Sequence, residues 1–170
     1  MATQSLVSVE EYLHSSYHPD CDYVDGAILE RNLGQFEHSR LQMLVLIALN
    51  SHAAEWGVLV LPELRLKIGS RKYRIPDVMV LAEDAPRTSV IQQPPLLCIE
   101  IVSPDDRIKD LTERARDYVT LGVPETWILD PAEKQAYVYS AAGLHQVQPG
   151  VTHLVLGKIS LDFSRLFAQL

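Results

Sequence analysis

Two acidic residues occupy positions where an acidic side chain is unexpected, each beside an apolar stretch. Glu100 interrupts the apolar run Leu96–Val102, and Asp77 follows Pro76 directly before Val78–Leu81. An unpaired carboxylate inside an apolar strand is energetically costly, so such a group is normally paired with a cation or bound to a metal ion. Taken singly, each has an ordinary explanation: Glu100 would pair with an arginine, and Asp77 would be an edge aspartate.

The two carboxylates together predict a different chemistry. If their strands are neighbours, both side chains point into one cleft. Two converging carboxylates form an oxygen site for Mg²⁺, which keeps several waters and accepts phosphate oxygens as further ligands. Such a metal ion lowers the pKa of a bound water and stabilises charge on a scissile phosphate. The pair therefore predicts metal-dependent hydrolysis of a phosphodiester bond.

Local patterns in the first half of the chain predict the elements that lead to this site. A capping box at Ser8–Glu11 opens a short helix, and an Asp-Gly turn within Asp22–Arg31 predicts a hairpin. Apolar residues recur at helical spacing over Glu37–Trp56. Leu64–Ile68 alternates apolar and basic residues, which predicts a strand, and Tyr73–Leu81 is predicted as the strand that returns beside it.

The second half predicts a strand, a helix and a strand. Leu96–Val102 has the length and β-branched content of a central strand buried on both faces. The helix 105–121 follows, and Thr126–Leu129 closes a right-handed parallel crossover. We therefore predict an α/β fold of order αβββαβ, in which a mixed β-sheet is flanked by helices. Its central strand would be Leu96–Val102, between Tyr73–Leu81 and Thr126–Leu129.

Length and composition set the broad class of protein. A chain of 170 residues has the usual size of one domain, so we expect a single domain over residues 1–170. Cys21 and Cys98 stand in unrelated contexts and are expected to be reduced and buried. Met1–Glu10 lacks the features of a signal peptide, and no apolar run approaches the ~18 residues that span a bilayer. We therefore expect a cytoplasmic protein with no membrane partner.

The net charge of −7 restricts how this protein could bind nucleic acid. Phosphate contacts supply most non-specific affinity, so a protein that binds DNA through its whole surface is normally basic. Here the contact is expected from a local basic patch, which holds five of the 15 basic residues within ten positions: Arg65, Lys67, Arg71, Lys72 and Arg74.

Several runs in the sequence carry a resemblance to a known family. They are, in order, Tyr23–Gly26, Glu37–Leu41, Tyr73–Asp77, Ile99–Pro104 and Gly122–Pro131. Together they resemble the Uma2 family within the restriction-endonuclease-like superfamily, whose signature is Pro-Asp…(Asp/Glu)-X-Lys. The resemblance covers essentially the whole chain. It implies a restriction-endonuclease-like core and a nuclease that uses Mg²⁺, with Mn²⁺ as an alternative, and acts on DNA.

The resemblance also implies roles for particular residues. The expected metal ligands are Asp77, Glu100 and Ile101. Ile101 could bind a metal ion only through its backbone atoms. Asp77 and Glu100 are also expected to be catalytic, together with Arg114 and His38. His38 lies at the start of the first long helix, where it is a candidate proton shuttle or ligand. An exposed histidine at the start of a helix is the alternative.

The lysine position of the signature is filled by Val102. In this branch the cation is usually found on the following helix, four residues before a tyrosine, a position that Arg114 fills before Tyr118. Arginine stays protonated and cannot act as a general base, but it can clamp a phosphate or orient Glu100. A simple i,i+4 ion pair with Asp110 is the alternative.

Three further positions complete the candidate set. Asp22 matches an acidic position of the family before its Asp-Gly, and Glu37 opens the helix where the superfamily often has an acid. Glu63 is not counted as catalytic. The remaining histidines lack the spacing of zinc ligands.

Two classes of function remain open. The first is a metal-dependent endonuclease acting on nucleic acid. The second is a catalytically inactive module on the same fold, which binds nucleic acid or another protein, since a fold alone does not supply function. Convergence of Asp77, Glu100 and a cation would distinguish the two. By analogy we also expect a homodimer, whose two-fold axis would place two cleavage sites across one nucleic-acid duplex.

Overall fold

The computed structural model describes residues 6–31, 35–106 and 108–170, without the side chain of residue 108. The helices within these ranges are α1 (Val9–His14), α2 (Phe36–Asn50), α3 (Ala53–Trp56), α4 (Ile108–Leu121) and α5 (Phe163–Phe167). The strands are β1 (Asp22–Val24), β2 (Ala27–Leu29), β3 (Val58–Pro62), β4 (Arg65–Gly69), β5 (Lys72–Arg74), β6 (Val78–Ala82), β7 (Val90–Ile91), β8 (Leu97–Ile101), β9 (Glu125–Asp130), β10 (Gln135–Ser140), β11 (Gly143–Gln146), β12 (Thr152–Val155) and β13 (Ile159–Asp162).

These strands form two large sheets and a separate hairpin. The central sheet has the spatial order β11-β10-β9-β8-β6-β3, and the second sheet has the order β2-β1-β5-β4-β7. Strands β12 and β13 pair with each other. In the central sheet, β8 pairs antiparallel with β6 and parallel with β9. The sheet is therefore mixed, as predicted.

Strand β8 is central, as the sequence predicts for Leu96–Val102. All five of its residues are buried. Leu97, Ile99 and Ile101 belong to the main core cluster together with residues of α2. Cys98 belongs to the cluster on the opposite side, with Tyr118 of α4. Because side chains alternate along a strand, Glu100 points to the same face as Cys98.

The prediction of one strand over Tyr73–Leu81 is wrong. The chain forms β5 in the second sheet and β6 in the central sheet, with Ile75, Pro76 and Asp77 between them. Proline has no N–H to donate to a strand ladder, so it is suited to a position where one ladder ends and another begins. The three core strands are therefore β3, β6 and β8, and the β4–β5 hairpin belongs to the second sheet.

The predicted order αβββαβ is found in α2, β3, β6, β8, α4 and β9. The helix predicted over residues 37–56 is divided into α2 and α3, and Gly57 follows in a left-handed conformation. The cap on α1 is confirmed, since the Ser8 hydroxyl accepts a hydrogen bond from the Glu11 N–H at 3.0 Å.

Both cysteines are buried and free, as predicted. Burial raises the pKa of the Cys98 thiol well above its ordinary value. Among the described helices, none has the length and apolar character required to cross a membrane.

Candidate active site

Asp77 lies directly before β6 and faces Glu100 of the neighbouring strand β8. Val78 of β6 pairs with Ile99 of β8, and the same antiparallel register extended by one residue sets Asp77 opposite Glu100. Both are buried, with 2% of Asp77 and none of Glu100 exposed to solvent. The fold therefore brings the two predicted acidic residues to facing positions.

The Asp77 carboxylate accepts hydrogen bonds on both oxygens. Oδ2 accepts from the Ile101 backbone N–H at 2.7 Å and lies 3.3 Å from Nε2 of His38. Oδ1 accepts from the Arg31 guanidinium. Burial alone would raise the pKa of Asp77, but the hydrogen bond from His38 and the charge of Arg31 outweigh it and hold the pKa below its ordinary value. Asp77 is therefore ionised.

The Glu100 carboxylate has different partners. The Tyr118 hydroxyl donates to Oε1 at 2.5 Å, and Nη1 of Arg114 donates to Oε2 at 3.2 Å. The pKa of Glu100 is raised to about 7, because burial and the charge of Asp77 outweigh Arg114 and Tyr118, which act in the opposite direction. Glu100 therefore exchanges its proton near neutral pH.

Arg114 lies between two acidic residues. Besides its contact with Glu100, its Nε is 3.7 Å from the Asp22 carboxylate. Its partners are thus on β8 and β1, and among the described ion pairs none joins it to Asp110. Arg114 therefore reaches back from α4 to Glu100, which is the arrangement expected if it orients that carboxylate.

Asp22 supports the site from outside the cleft. Its carboxylate accepts a hydrogen bond from Arg74 at 2.9 Å and another from the Ile75 N–H at 3.0 Å. Arg74 is itself held by Asp117 of α4, through a 2.9 Å hydrogen bond from its Nε. Asp22 therefore fixes the segment that leads into Asp77 and lies close to Arg114 at the same time.

His38 is buried, so the alternative of an exposed histidine at the helix start is wrong. Burial lowers the pKa of His38, but the hydrogen bond and charge of Asp77 outweigh this effect and raise the pKa above its ordinary value. Its Nδ1 is buried without a hydrogen-bond partner among the described residues. One turn later on α2, Gln42 donates to the Asp77 carbonyl oxygen at 2.9 Å. The first turns of α2 thus hold Asp77 in place.

A polar cavity of about 80 Å³ opens at this point of the fold. Arg31, His38, Asp77, Ile101 and Arg114 line it, and Glu63 and Asp106 are the other acidic residues at its wall. Glu100 does not reach the cavity wall and lies behind it, at full burial. The cavity is thus bounded by two arginines and three carboxylates.

The predicted basic patch is not a free positive surface. Four of its five residues form ion pairs, Arg65 with Asp20, Arg71 with Asp25, and both Lys72 and Arg74 with Asp117. Lys67 has no carboxylate partner among the described residues. The sequence alone does not indicate these pairs because the acids lie elsewhere in the chain, at separations of more than 40 residues in each case.

The donor atoms at the site suit a hard divalent cation. Asp77, Glu100 and the Ile101 carbonyl are all oxygen donors, which Mg²⁺ and Mn²⁺ prefer. Within the described ranges, no three Asp, Glu, His or Cys side chains form a group able to hold a metal ion by themselves. A cation at this site would therefore rest on two carboxylates, the main chain and water, the arrangement that Mg²⁺ commonly adopts.

Two residues of the site escaped the sequence interpretation. Arg31 precedes the first core helix and gave no local signal for its contact with Asp77, 46 positions away. Tyr118 enters the sequence interpretation only as the tyrosine four residues after Arg114, yet its hydroxyl contacts Glu100. A buried tyrosine hydroxyl usually needs a hydrogen-bond partner, and this requirement would have identified Tyr118.

The mixed sheet, its flanking helices and the paired acidic residues define a restriction-endonuclease-like α/β protein. The sequence model of the Uma2 family, described as "Putative restriction endonuclease", matches residues 9–164. The chain belongs to this family. No curated protein is similar to it at a significant level.

A solved structure shows the same fold. A "putative nuclease belonging to DUF820 from Anabaena variabilis ATCC 29413" superposes with a TM-score of 0.85 at 23% identity, covering 95% of this chain and 98% of that one. A DrdV–DNA complex studied by cryo-electron microscopy superposes with a TM-score of 0.44 at 14% identity, over 78% of this chain and 13% of that one. The second likeness is too weak to carry an argument.

Proposed function

We propose that this protein is a metal-dependent endonuclease that hydrolyses phosphodiester bonds in DNA. The observation that carries the proposal is the position of Asp77, directly before β6 and opposite Glu100 of β8, beside a cavity lined by Arg31 and Arg114. Family membership supports the nuclease class. The homodimer and the choice of DNA over RNA stay predictions.

Asp77, Glu100 and the main-chain carbonyl of Ile101 would hold the divalent ion, Mg²⁺ or Mn²⁺. When bound, such an ion lowers the pKa of a coordinated water and stabilises negative charge on the phosphate. Asp77 is ionised and Glu100 loses its proton near neutral pH, so both can supply the anionic oxygens that the ion requires.

The other residues of the site have roles that follow from their contacts. Arg114 holds Glu100 in position and stabilises its charged form. Its guanidinium also lines the cavity, where it can donate to a phosphate oxygen. As an arginine it retains its proton, so it cannot activate the attacking water. His38 fixes Asp77 and, with its raised pKa, can carry a proton at Nε2.

Binding of nucleic acid would rely on charges at the cleft. Four of the five residues of the predicted basic patch form ion pairs, which leaves Lys67 as its one cation without a carboxylate partner among the described residues, and the cavity adds Arg31 and Arg114. A basic patch reduced in this way implies weak non-specific affinity. The proposed enzyme therefore depends on its cleft to capture substrate.

The test is a cleavage assay on duplex DNA, single-stranded DNA and RNA with millimolar Mg²⁺ or Mn²⁺. We expect cleavage by the parent protein that EDTA abolishes. Asp77→Asn and Glu100→Gln should each reduce the rate at least about a hundredfold, because each removes an anionic ligand. Matched controls are Asp25→Asn and Glu55→Gln, since both side chains are largely exposed. These controls should cleave like the parent.

Two observations favour the catalytically inactive alternative. Each carboxylate already has an arginine partner, and Val102 fills the lysine position of the signature. If the parent cleaves none of the three substrates, and its melting temperature is the same with Mg²⁺, Mn²⁺ or EDTA, the enzyme proposal is refuted. DNA binding that persists under those conditions would then support the inactive module.

A further inference from the structure

Arg31 is the residue of the cleft that family resemblance did not assign. Its guanidinium donates to Asp77 Oδ1 and lies 3.7 Å from Glu63 through Nη1. Its side chain is only 10% exposed, so this contact is made largely away from bulk water. Arg31 therefore acts as the counter-ion of Asp77 in the protein described here.

The two oxygens of the Asp77 carboxylate have different partners, and Arg31 holds only one of them. Oδ2 is held by the Ile101 N–H and by His38, both of which are fixed by secondary structure. Oδ1 is held by a long and flexible side chain. A cation arriving at Oδ1 would lie beside the guanidinium, and the repulsion between the two positive groups favours departure of the guanidinium.

The released guanidinium would remain close to the site. Arg31 lines the same cavity as Asp77 and Arg114, and guanidinium groups bind phosphate oxygens in bidentate geometry. A phosphate in the cavity would therefore offer Arg31 a second anionic partner. The side chain has two alternative positions, one on Asp77 and one on phosphate.

We propose that Arg31 is an exchangeable counter-ion, which leaves Asp77 for a substrate phosphate when a divalent metal ion binds. This inference rests on the proposed function, since it concerns the same metal site. It makes metal and phosphate binding mutually reinforcing. Each ligand removes Arg31 from the position that opposes the other, and such coupling is reciprocal for binding affinities.

The first test measures Mg²⁺ affinity by calorimetry, without substrate. Arg31→Gln should lower the Kd for Mg²⁺ at least about tenfold, since the ion no longer displaces a cation. Arg31→Lys keeps the charge and should remain within about threefold of the parent. Arg71→Gln is the matched control, because Arg71 is exposed and pairs with Asp25 away from the cavity. The control should leave the Kd unchanged.

The second test separates displacement from the simple loss of a positive charge. In the parent, the Arg31 guanidinium N–H resonances should show slow rotation and slow exchange while the group is bound to Asp77. Diamagnetic Mg²⁺ should convert them to the fast exchange of a free arginine. Adding a short DNA duplex in Ca²⁺ should then restore slow exchange. This measurement needs no variant, so it stands even if Arg31→Gln fails to fold.

The outcomes distinguish this inference from the proposed function. If the parent binds Mg²⁺ and the Arg31 signals do not change, or if Arg31→Gln binds Mg²⁺ no better, the exchange is refuted while the nuclease proposal stands. If the parent binds no Mg²⁺ but Arg31→Gln does, Arg31 blocks the site without leaving it, and the exchange is refuted. If neither protein binds Mg²⁺, both proposals fail.

Discussion

Asp77 and Glu100 are almost equally buried, yet the protein gives them opposite protonation properties. Burial raises the pKa of each carboxyl. Asp77 also receives hydrogen bonds from Arg31, His38 and the Ile101 amide, and these keep it charged. Glu100 has a neutral hydroxyl and one arginine. The pair therefore combines one permanently anionic group with one that titrates near neutral pH.

This difference predicts unequal effects on stability. Two bare carboxylates would repel each other, so neutralising either would stabilise the fold. The arginines reverse this expectation. Asp77→Asn leaves the buried Arg31 with only the half-exposed Glu63 as a charged partner and should lower the free energy of unfolding by about 3 kcal/mol. Glu100→Gln replaces the carboxyl with a neutral group that resembles the protonated acid, and Arg114 keeps its ion pair with Asp22. We therefore expect the free energy of unfolding to fall by about 1 kcal/mol.

Urea unfolding at pH 7 in EDTA measures both values. Glu55→Gln, an exposed substitution, is the control for the loss of one negative charge. A more stable Asp77→Asn protein would mean that repulsion between the carboxylates exceeds their pairing with the arginines. The explanation given for the pKa of Asp77 would then be wrong.

The site was predictable where its signals are local. Asp77 and Glu100 stand out against apolar neighbours, and the spacing of Arg114 before Tyr118 resembles a family pattern. The Arg31–Asp77 contact is set by tertiary structure across 46 positions, and nothing near Arg31 in the sequence indicates it. A single sequence therefore identifies the anionic groups of this site better than the cations that neutralise them.

At the scale of elements, the main difference between prediction and structure lies at Pro76. Apolar residues recur along Tyr73–Leu81 on both sides of Pro76 and Asp77, so the apolar pattern alone predicts one strand. The chain instead changes sheets between β5 and β6. A proline inside a strand pattern signals an edge or an interruption, and this rule would have located the break. The break sets Asp77 beside the cavity, away from the interior of a ladder.

Gly122 joins α4 to the segment before β9 and adopts a φ of +114°. A Cβ at this position would lie 3.3 Å from Cγ of Pro94, a ring that cannot turn aside. We expect Gly122→Ala to lower the free energy of unfolding by about 2 kcal/mol, through both the unfavourable φ and the close contact. Chemical denaturation measures this change.

Gly143→Ala is the matched control for the steric contact between a Cβ at position 122 and Pro94. Gly143 has a φ of +98°, and a Cβ there would meet no atom within 4 Å. Its substitution should cost about 1 kcal/mol from backbone strain alone. Equal losses for the two variants would show that the approach of Pro94 contributes nothing.

At the scale of the whole molecule, the two large sheets share one continuous stretch of chain. Residues 72–82 pair in the second sheet through β5 and in the central sheet through β6. Helix α4 is tied to β5 as well, since Asp117 pairs with both Lys72 and Arg74. Loss of either sheet would thus disturb the other.

We therefore expect residues 1–170 to unfold in one transition. Differential scanning calorimetry should give a calorimetric enthalpy equal to the van't Hoff enthalpy, and tryptophan fluorescence and far-ultraviolet circular dichroism should share one midpoint. Trp127 reports on the central sheet, because it lies in β9 and is fully buried. Two separate midpoints would indicate that the sheets are independent units.

The amide hydrogen of Ile101 belongs both to the central strand and to the site. It is donated to the Asp77 carboxylate at 2.7 Å, and the residue is 1% exposed. In deuterated solvent it can exchange only when Asp77 separates from β8. The deuterium uptake of this one amide therefore reports how often the site opens, before any metal ion or nucleic acid is added.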